Sequence, residues 1–143
     1  MGAATVLMAL DQELPTNVKC VIADCPFSAP IDELVDVALK EKTKLPKGAA
    51  TFMLKCAAKI HAHFNTQESA PYRAVKNAKV PILLFHGTDD RFVPFWMAEK
   101  TYNGNPNMIR FEKFEGAGHA LCYFSNPDRY LKVTKDFIDQ NIK

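Results

Sequence analysis

The sequence has neither a long apolar segment nor an excess of one charge. Its longest apolar run, near residues 80–85, has the length of a strand, whereas a membrane-spanning helix needs roughly 18 residues or more. Lysine and arginine number 18 against 16 aspartates and glutamates, so the charge balance predicts no nucleic-acid or membrane partner. With 48% hydrophobic residues, the 143-residue chain can form one domain with a core.

A signal for export is also missing from the sequence. Residues 1–10 contain no basic residue ahead of their apolar stretch and lead directly into Asp11, which does not match the charge order of a signal peptide. We therefore expect a cytoplasmic protein.

Cysteine is present but lacks the spacing of a metal site. Cys20, Cys25, Cys56 and Cys122 form no CxxC pair and no cluster with histidine at zinc-ligand spacing. In a reducing cytoplasm we expect free, mostly buried thiols. We predict neither a metal site nor a bound cofactor.

Short apolar segments alternate with helical ones along the chain. This alternation predicts an α/β domain with a mostly parallel sheet of about three strands, flanked by helices. The last helix is expected to bury a stripe of Tyr130, Leu131, Val133, Phe137 and Ile138. The strand patterns are residues 18–25, 80–86 and 108–114, and the helical patterns are residues 2–10, 31–39, 49–64, 95–103 and 126–138.

Two of these helical patterns lie between the first and second strands. The earlier one begins with Asp32 and ends with lysines, which is the charge order that a helix dipole favours. The later one places Phe52, Cys56, Ile60 and either His63 or Phe64 on one face. Because helices inserted between strands are typical of a cap, we predict a helical cap segment at about residues 29–66.

The richest polar loops directly follow the second and third strand patterns. Residues 86–94 read HGTDDRFVP, and residues 115–120 read EGAGHA. In open parallel sheets, catalytic groups collect beyond the carboxyl ends of the strands. Since neighbouring strands are about 4.8 Å apart, an acid of the first loop can meet His119 of the second.

These loops and the strands before them resemble the α/β-hydrolase superfamily. Residues 80–94 are similar to its acid loop, V-P-I-L-L-F-H-G-x-x-D-x-x-V-P, and residues 116–120 to its histidine loop, G-x-G-H-A. The resemblance spans nearly the whole chain and is closest to serine-hydrolase-like members with a helical cap. It implies that Asp90 is the triad acid and His119 the base. Asp89 is the rival acid, although it can instead cap the loop, and backbone groups alone can hold a histidine such as His119.

The family's nucleophile motif, G-x-S-x-G, is missing. Ser28, Ser69 and Ser125 have no glycine two residues away on either side. The opening residues M-G-A-A-T are similar to the end of this motif, which implies that the serine directly precedes Met1 and that the backbone N–H of Met1 is an oxyanion donor. A buried helix that begins at once also lacks an N-cap. The alternative is that Met1 is a true start and that the similarity is accidental.

We therefore predict that residues 1–143 are the C-terminal part of an α/β-hydrolase domain and inactive alone. The parent is expected to hydrolyse a small-molecule ester or amide, or a peptide. The strand at residues 18–25 then becomes an apolar sheet edge, which predicts a homo-oligomer. The alternative is a non-catalytic binding or assembly module derived from the same fold.

Overall fold

The computed structural model describes residues 1–40, 45–61, 63, 65–66 and 70–142 of the chain. Within these residues, strands and helices alternate as the sequence predicts. The strands are β1 (Val21–Asp24), β2 (Ile82–Gly87) and β3 (Ile109–Phe114). The helices are α1 (Gly2–Met8), α2 (Pro30–Lys40), α3 (Lys47–His61), α4 (Pro71–Ala74), α5 (Phe95–Tyr102), α6 (Cys122–Ser125) and α7 (Pro127–Asn141).

The described strands form one parallel sheet in the order β1-β2-β3. Leu83 of β2 pairs with Ile22 of β1 and with Arg110 of β3. Every residue of β2 is buried, as expected for the central strand of a sheet covered on both faces. The prediction of a parallel sheet of about three strands, flanked by helices, is confirmed.

Alternate side chains of β2 contribute to two apolar clusters on opposite faces of the sheet. Ile82 and Leu84 pack with Leu7 of α1 in the first cluster, whereas Leu83 and Phe85 pack with Phe137 of α7 in the second. This division follows from the two-residue period of a strand. The helices therefore cover both faces, and the carboxyl ends of the strands emerge along one edge of this core.

The position of the last helix, α7, is fixed by a side-chain N-cap and by buried apolar residues on one face. The Asn126 side chain accepts a hydrogen bond from the Arg129 backbone N–H at 3.0 Å, which caps α7, and Pro127 occupies its first turn. Val133 and Phe137 are buried, as predicted. Leu131, however, is 55% exposed, and its predicted burial is wrong because it lies off the helical stripe that the other two residues define.

The helices between β1 and β2 form a small packed unit. α2 contacts α3, and Ile31 and Val35 pack with Ala29 and Ala70 in a third apolar cluster. Residues 41–44, 62, 64 and 67–69 lie outside the described residues, including Phe64 of the predicted apolar face. Phe52 and Ile60 of that face are 70% and 66% exposed, so α3 leaves much of it uncovered. The assignment of this unit as a cap stays a prediction.

Two short helices were not predicted from the sequence. α4 precedes β2, and α6 follows the histidine loop. Each has only four residues, which is too short for a helical repeat to show in a sequence. All the helices among the described residues are too short or too polar to cross a membrane.

Candidate active site

The acid loop begins where β2 ends, and its backbone holds the Asp90 side chain. Asp90 Oδ1 accepts hydrogen bonds from the backbone N–H groups of Phe92 at 2.9 Å and Val93 at 2.8 Å. Aspartate commonly stabilises turns by bonding to backbone groups two or three residues ahead. The carboxylate is therefore buried in one orientation, with Oδ2 left for another donor.

The histidine loop follows β3 and is hydrogen-bonded directly to the acid loop. The Thr88 N–H donates to the Phe114 carbonyl, and the Asp89 N–H donates to the Ala117 carbonyl, both at 3.0 Å. The Gly116 N–H donates to Thr88 Oγ1 at 2.9 Å, and Gly116 itself has a φ of 70°, which suits glycine. These bonds fix the relative position of the two loops.

Gly87, the last residue of β2, permits this close approach. A Cβ atom at this position would lie 2.2 Å from the Ala117 carbonyl oxygen and 2.9 Å from that of Gly118. These neighbours are backbone atoms, so no rotamer change can relieve such a contact. The glycine of the sequence motif is thus a packing requirement between the two loops.

The structure joins His119 to Asp90. His119 Nδ1 lies 2.8 Å from Asp90 Oδ2, with the histidine side chain 35% exposed and the aspartate side chain fully buried. Because a carboxylate oxygen only accepts, Nδ1 carries the proton in neutral His119 and Nε2 is left as an acceptor. A buried acid that orients a half-exposed base is the geometry of an acid–base pair.

Asp89, the rival acid, does not occupy this position. Its side chain is exposed, and the contact described for it is the backbone bond to Ala117. The geometry therefore selects Asp90 as the partner of His119, in agreement with the motif spacing. That either residue acts in catalysis stays a prediction at this point.

His86 lies beneath the pair and helps to hold the acid loop. Its side chain is fully buried, with Nε2 2.9 Å from the Val93 carbonyl and 3.5 Å from Asp90 Oδ2. Burial lowers the pKa of His86, against the opposing effects of the Val93 carbonyl and the Asp90 carboxylate. We infer a neutral imidazole whose Nε2–H donates to Val93.

The contacts described for Met1, the predicted oxyanion donor, and for the serines do not involve His119. Met1 is almost fully exposed, and the contacts described for it run from its carbonyl to Thr5 in α1. Ser28 donates to Asp32, and Ser125 donates to the Cys122 carbonyl, whereas Ser69 lies outside the described residues. Among the described residues, no serine hydroxyl is hydrogen-bonded to His119.

Three further residues lie close to the pair, and two of them, Cys25 and Glu33, were not identified as site residues from the sequence. The Phe92 ring lies 5.0 Å from the His119 ring between centroids, and Cys25 Sγ lies within 4.8 Å of ligand atoms of Asp90 and His119. Burial is the main cause that raises the pKa of the Glu33 carboxyl in α2, and the charges of His119 and Asp90 also affect this pKa. Helix α2 and the residue that follows β1 therefore contribute to this edge of the sheet.

A cavity of about 180 Å³ lies between the helical unit and the start of α5, and neither Asp90 nor His119 lines it. It combines aromatic, apolar and charged walls, as ligand sites commonly do. Its lining includes Asp32, Val35, Lys47, Tyr72, Trp96 and Lys100.

The fold and the paired loops define the chain as an α/β-hydrolase. A sequence model of the phospholipase/carboxylesterase family matches residues 31–142, and the chain belongs to this family. The chain is also 26% identical over 139 residues to the uncharacterized protein YqkD of Bacillus subtilis (strain 168). That alignment covers 97% of this chain and 45% of YqkD, so the chain spans less than half the length of this relative.

Solved structures share the same fold. The acylaminoacyl peptidase of Pyrococcus horikoshii superposes with a TM-score of 0.71 and 19% identity, covering 99% of this chain and 22% of that protein. The Pyrococcus furiosus esterase Pf2001 superposes with a TM-score of 0.67 and 19% identity, covering the whole of this chain and 51% of the esterase. At these identities, the likeness shows the fold alone.

Proposed function

We propose that Asp90 and His119 are the acid and the base of a Ser-His-Asp triad that hydrolyses esters, or amides and peptides. The observation that supports this most strongly is the 2.8 Å contact between His119 Nδ1 and the buried Asp90 Oδ2. In this proposal the nucleophile is a serine directly before Met1 in a longer parent chain. Phospholipase/carboxylesterase membership favours esters as the first substrates to test.

The chemistry assigned to the pair proceeds through an acyl-enzyme. Neutral His119 takes the serine proton on Nε2 as the serine oxygen attacks the carbonyl carbon, and Asp90 stabilises the imidazolium. The imidazolium then protonates the leaving alcohol or amine. Water attacks the acyl-enzyme with His119 again as base, which releases the acid and regenerates the serine.

Met1 has a separate role in this proposal. The residue after the nucleophile supplies a backbone N–H to the oxyanion hole in hydrolases of this type. In the parent, the Met1 N–H is an amide that can serve in this way. We therefore propose Met1 as an oxyanion donor. We expect negligible turnover by the 143-residue chain, in which no serine of the described residues is hydrogen-bonded to His119.

An activated-ester assay tests the proposal in two arms. The 143-residue chain should release p-nitrophenol from p-nitrophenyl acetate no faster than its His119→Ala variant. The parent, extended by its upstream reading frame, should show turnover that His119→Ala removes. Turnover by the short chain that depends on His119 would contradict the claim that it is inert, and an active parent indifferent to His119 would contradict the triad. An inactive parent would favour the binding or assembly module.

We also propose that a second copy of the chain covers the edge strand β1. Val6, Leu14, Val18 and Val21 line an apolar groove beside this strand, and exposed apolar edges invite pairing. Light scattering at micromolar concentration should give a mass above 16.0 kDa, and Val6→Lys should shift it towards the monomer. A clean monomer of the unmodified chain would contradict this proposal.

A further inference from the structure

Two cysteines that lie far apart in sequence meet at the carboxyl end of β1. Cys25 directly follows β1, and Cys122 begins α6, yet their sulfur atoms are 4.0 Å apart and both residues are buried. Cys25 has a φ of 50°, a left-handed conformation that is uncommon outside glycine. The carboxylate of Asp24 completes a group whose ligand atoms all lie within 4.8 Å of one another.

The separation of the two sulfur atoms fits a shared metal ion better than a disulfide. A tetrahedral Zn²⁺ with Zn–S bonds of about 2.3 Å places two thiolate sulfurs about 3.8 Å apart. A disulfide needs about 2.0 Å, which would require the sulfurs of Cys25 and Cys122 to move about 2 Å closer. The observed 4.0 Å therefore needs little adjustment to hold a tetrahedral cation.

Asp24 offers an oxygen atom that the protein leaves unused. Its Oδ1 is buried without a hydrogen-bond partner, whereas Oδ2 lies 3.2 Å from the Tyr130 hydroxyl, which donates to it. A buried acceptor without a partner is costly. A metal ion bound between Asp24 and the two thiols would supply that partner, and Tyr130 would orient the carboxylate from outside, as partners of metal ligands commonly do.

A second group that includes Cys25 is less suited to a metal ion. The ligand atoms of Cys25, Asp90 and His119 also lie within 4.8 Å of one another. Asp90, however, already accepts from two backbone N–H groups and from His119. Binding there would break the hydrogen bond between His119 and Asp90, whereas binding at Asp24 satisfies a free acceptor.

We propose that Asp24, Cys25 and Cys122 form a binding site for a thiophilic divalent cation of the Zn²⁺ type. Each thiol gives its proton to solvent as its sulfur binds the metal. The three ligands carry three negative charges, so a divalent ion leaves a net charge of one minus. Three protein ligands also leave one tetrahedral position for water or an external ligand. The argument for this site does not rest on the proposed triad activity.

Cobalt titration of the reduced 143-residue chain tests the site directly. Co²⁺ reports thiolate ligands by charge-transfer absorption and tetrahedral geometry by its visible bands, and Zn²⁺ should displace it. We expect one equivalent to bind with both signatures. Absence of thiolate charge transfer in the unmodified chain would overturn the proposal.

Matched cysteine variants locate the ligands. Cys25→Ser and Cys122→Ser should each weaken Co²⁺ binding at least about 10-fold and reduce charge transfer, because loss of even an outer partner of a metal ligand costs about 10–100-fold. Cys20→Ser and Cys56→Ser, which change the two half-buried thiols, should leave binding unchanged. Unchanged charge-transfer intensity and Co²⁺ affinity in Cys25→Ser, or loss of charge transfer in Cys20→Ser, would overturn the assignment.

The acid variants distinguish the two groups that include Cys25. Asp24→Asn should weaken Co²⁺ binding, whereas His119→Ala should not, and the reverse pattern would place the metal at the acid–base pair and overturn the proposal. Circular dichroism checks that each variant folds. If Cys122→Ser does not fold, ¹¹³Cd NMR of the unmodified chain decides: a resonance typical of two thiolates supports the site, and one typical of oxygen and nitrogen ligands overturns it.

Discussion

Two clusters of ionisable side chains lie at the same edge of the sheet, and they differ in how the protein satisfies them. At the ends of β2 and β3, Asp90 accepts from two backbone N–H groups and from His119. At the end of β1, the Asp24 carboxylate lies beside the thiols of Cys25 and Cys122, and its buried Oδ1 has no hydrogen-bond partner.

This difference separates a preorganised pair from a site that lacks a ligand. The acid–base pair needs no further atom to fix its geometry, because the loop backbone and His119 already occupy the carboxylate oxygens. The thiol cluster has an unfilled acceptor and two weak donors, so an added cation gains interactions there. The two clusters share the carboxyl edge of the sheet, so their location does not distinguish their chemistry. What distinguishes them is whether the carboxylate oxygens of Asp90 and Asp24 already have hydrogen-bond partners.

The largest expected effect comes from removing the base of the first cluster. In the parent protein, His119→Ala should lower kcat for p-nitrophenyl acetate about 10⁴-fold or more, because the serine loses its proton acceptor. Ser125→Ala is the control, because the Ser125 hydroxyl donates to the Cys122 carbonyl and not to His119. If the His119→Ala parent retained a tenth of the original kcat, the assignment of His119 as the base would be contradicted.

Replacing the acid should have the next largest effect. Asp90→Asn retains Oδ1 for the backbone N–H groups but presents an amide donor to His119 Nδ1, which disfavours the working tautomer. We expect kcat of the parent to fall about 10³–10⁴-fold while the melting temperature changes little. Asp89→Asn should change kcat less than about 10-fold, and an equal loss in both variants would contradict the assignment of Asp90.

The contact between the two loops can be broken at Gly87. Gly87→Ala places a Cβ against the backbone of Ala117 and Gly118, so we expect the free energy of unfolding to fall by about 3 kcal/mol. Gly48→Ala is the control, because no heavy atom lies within 4 Å of its added Cβ in α3. Its free energy of unfolding should change by less than about 1 kcal/mol. Equal denaturation midpoints for the two variants would contradict the packing argument.

The smallest effect is a pH dependence that originates at His86. Burial lowers the pKa of His86, so as the pH falls below about 6.5 the unfolded chain takes up the proton first. The free energy of unfolding is therefore fully retained above that pH, falls below it, and levels off beneath the pKa of the folded state. Urea unfolding across this pH range should show that the free energy of unfolding falls in the unmodified chain and falls less in His86→Gln. Identical pH profiles for the two proteins would contradict the assignment of this effect to His86.

The acid–base pair could be anticipated because each residue follows a recognisable strand. The buried pattern before Gly87 and the alternating pattern before Glu115 predict adjacent parallel strands, whose ends must share one edge. The resemblance to the α/β-hydrolase acid loop then favours Asp90 over Asp89, and the structure pairs Asp90 with His119. The short helices α4 and α6 and the exposure of Leu131 could not be predicted, because four residues carry no helical period and exposure depends on neighbouring elements.

The thiol cluster had no sequence signal. Cys25 and Cys122 are 97 positions apart, and neither lies in a ligand motif, so the cysteine spacing predicted no metal site. Their approach depends on β1 lying beside β2, on the left-handed turn at Cys25 and on α6, which the sequence did not predict.

The sequence by itself determined the α/β class, the central strand and the loops that carry Asp90 and His119, because these depend on local periodicity and on motifs of a few residues. The tertiary structure alone decided which acceptors are filled and which distant thiols meet. Those properties depend on packing between elements far apart in the chain, where local patterns carry no information.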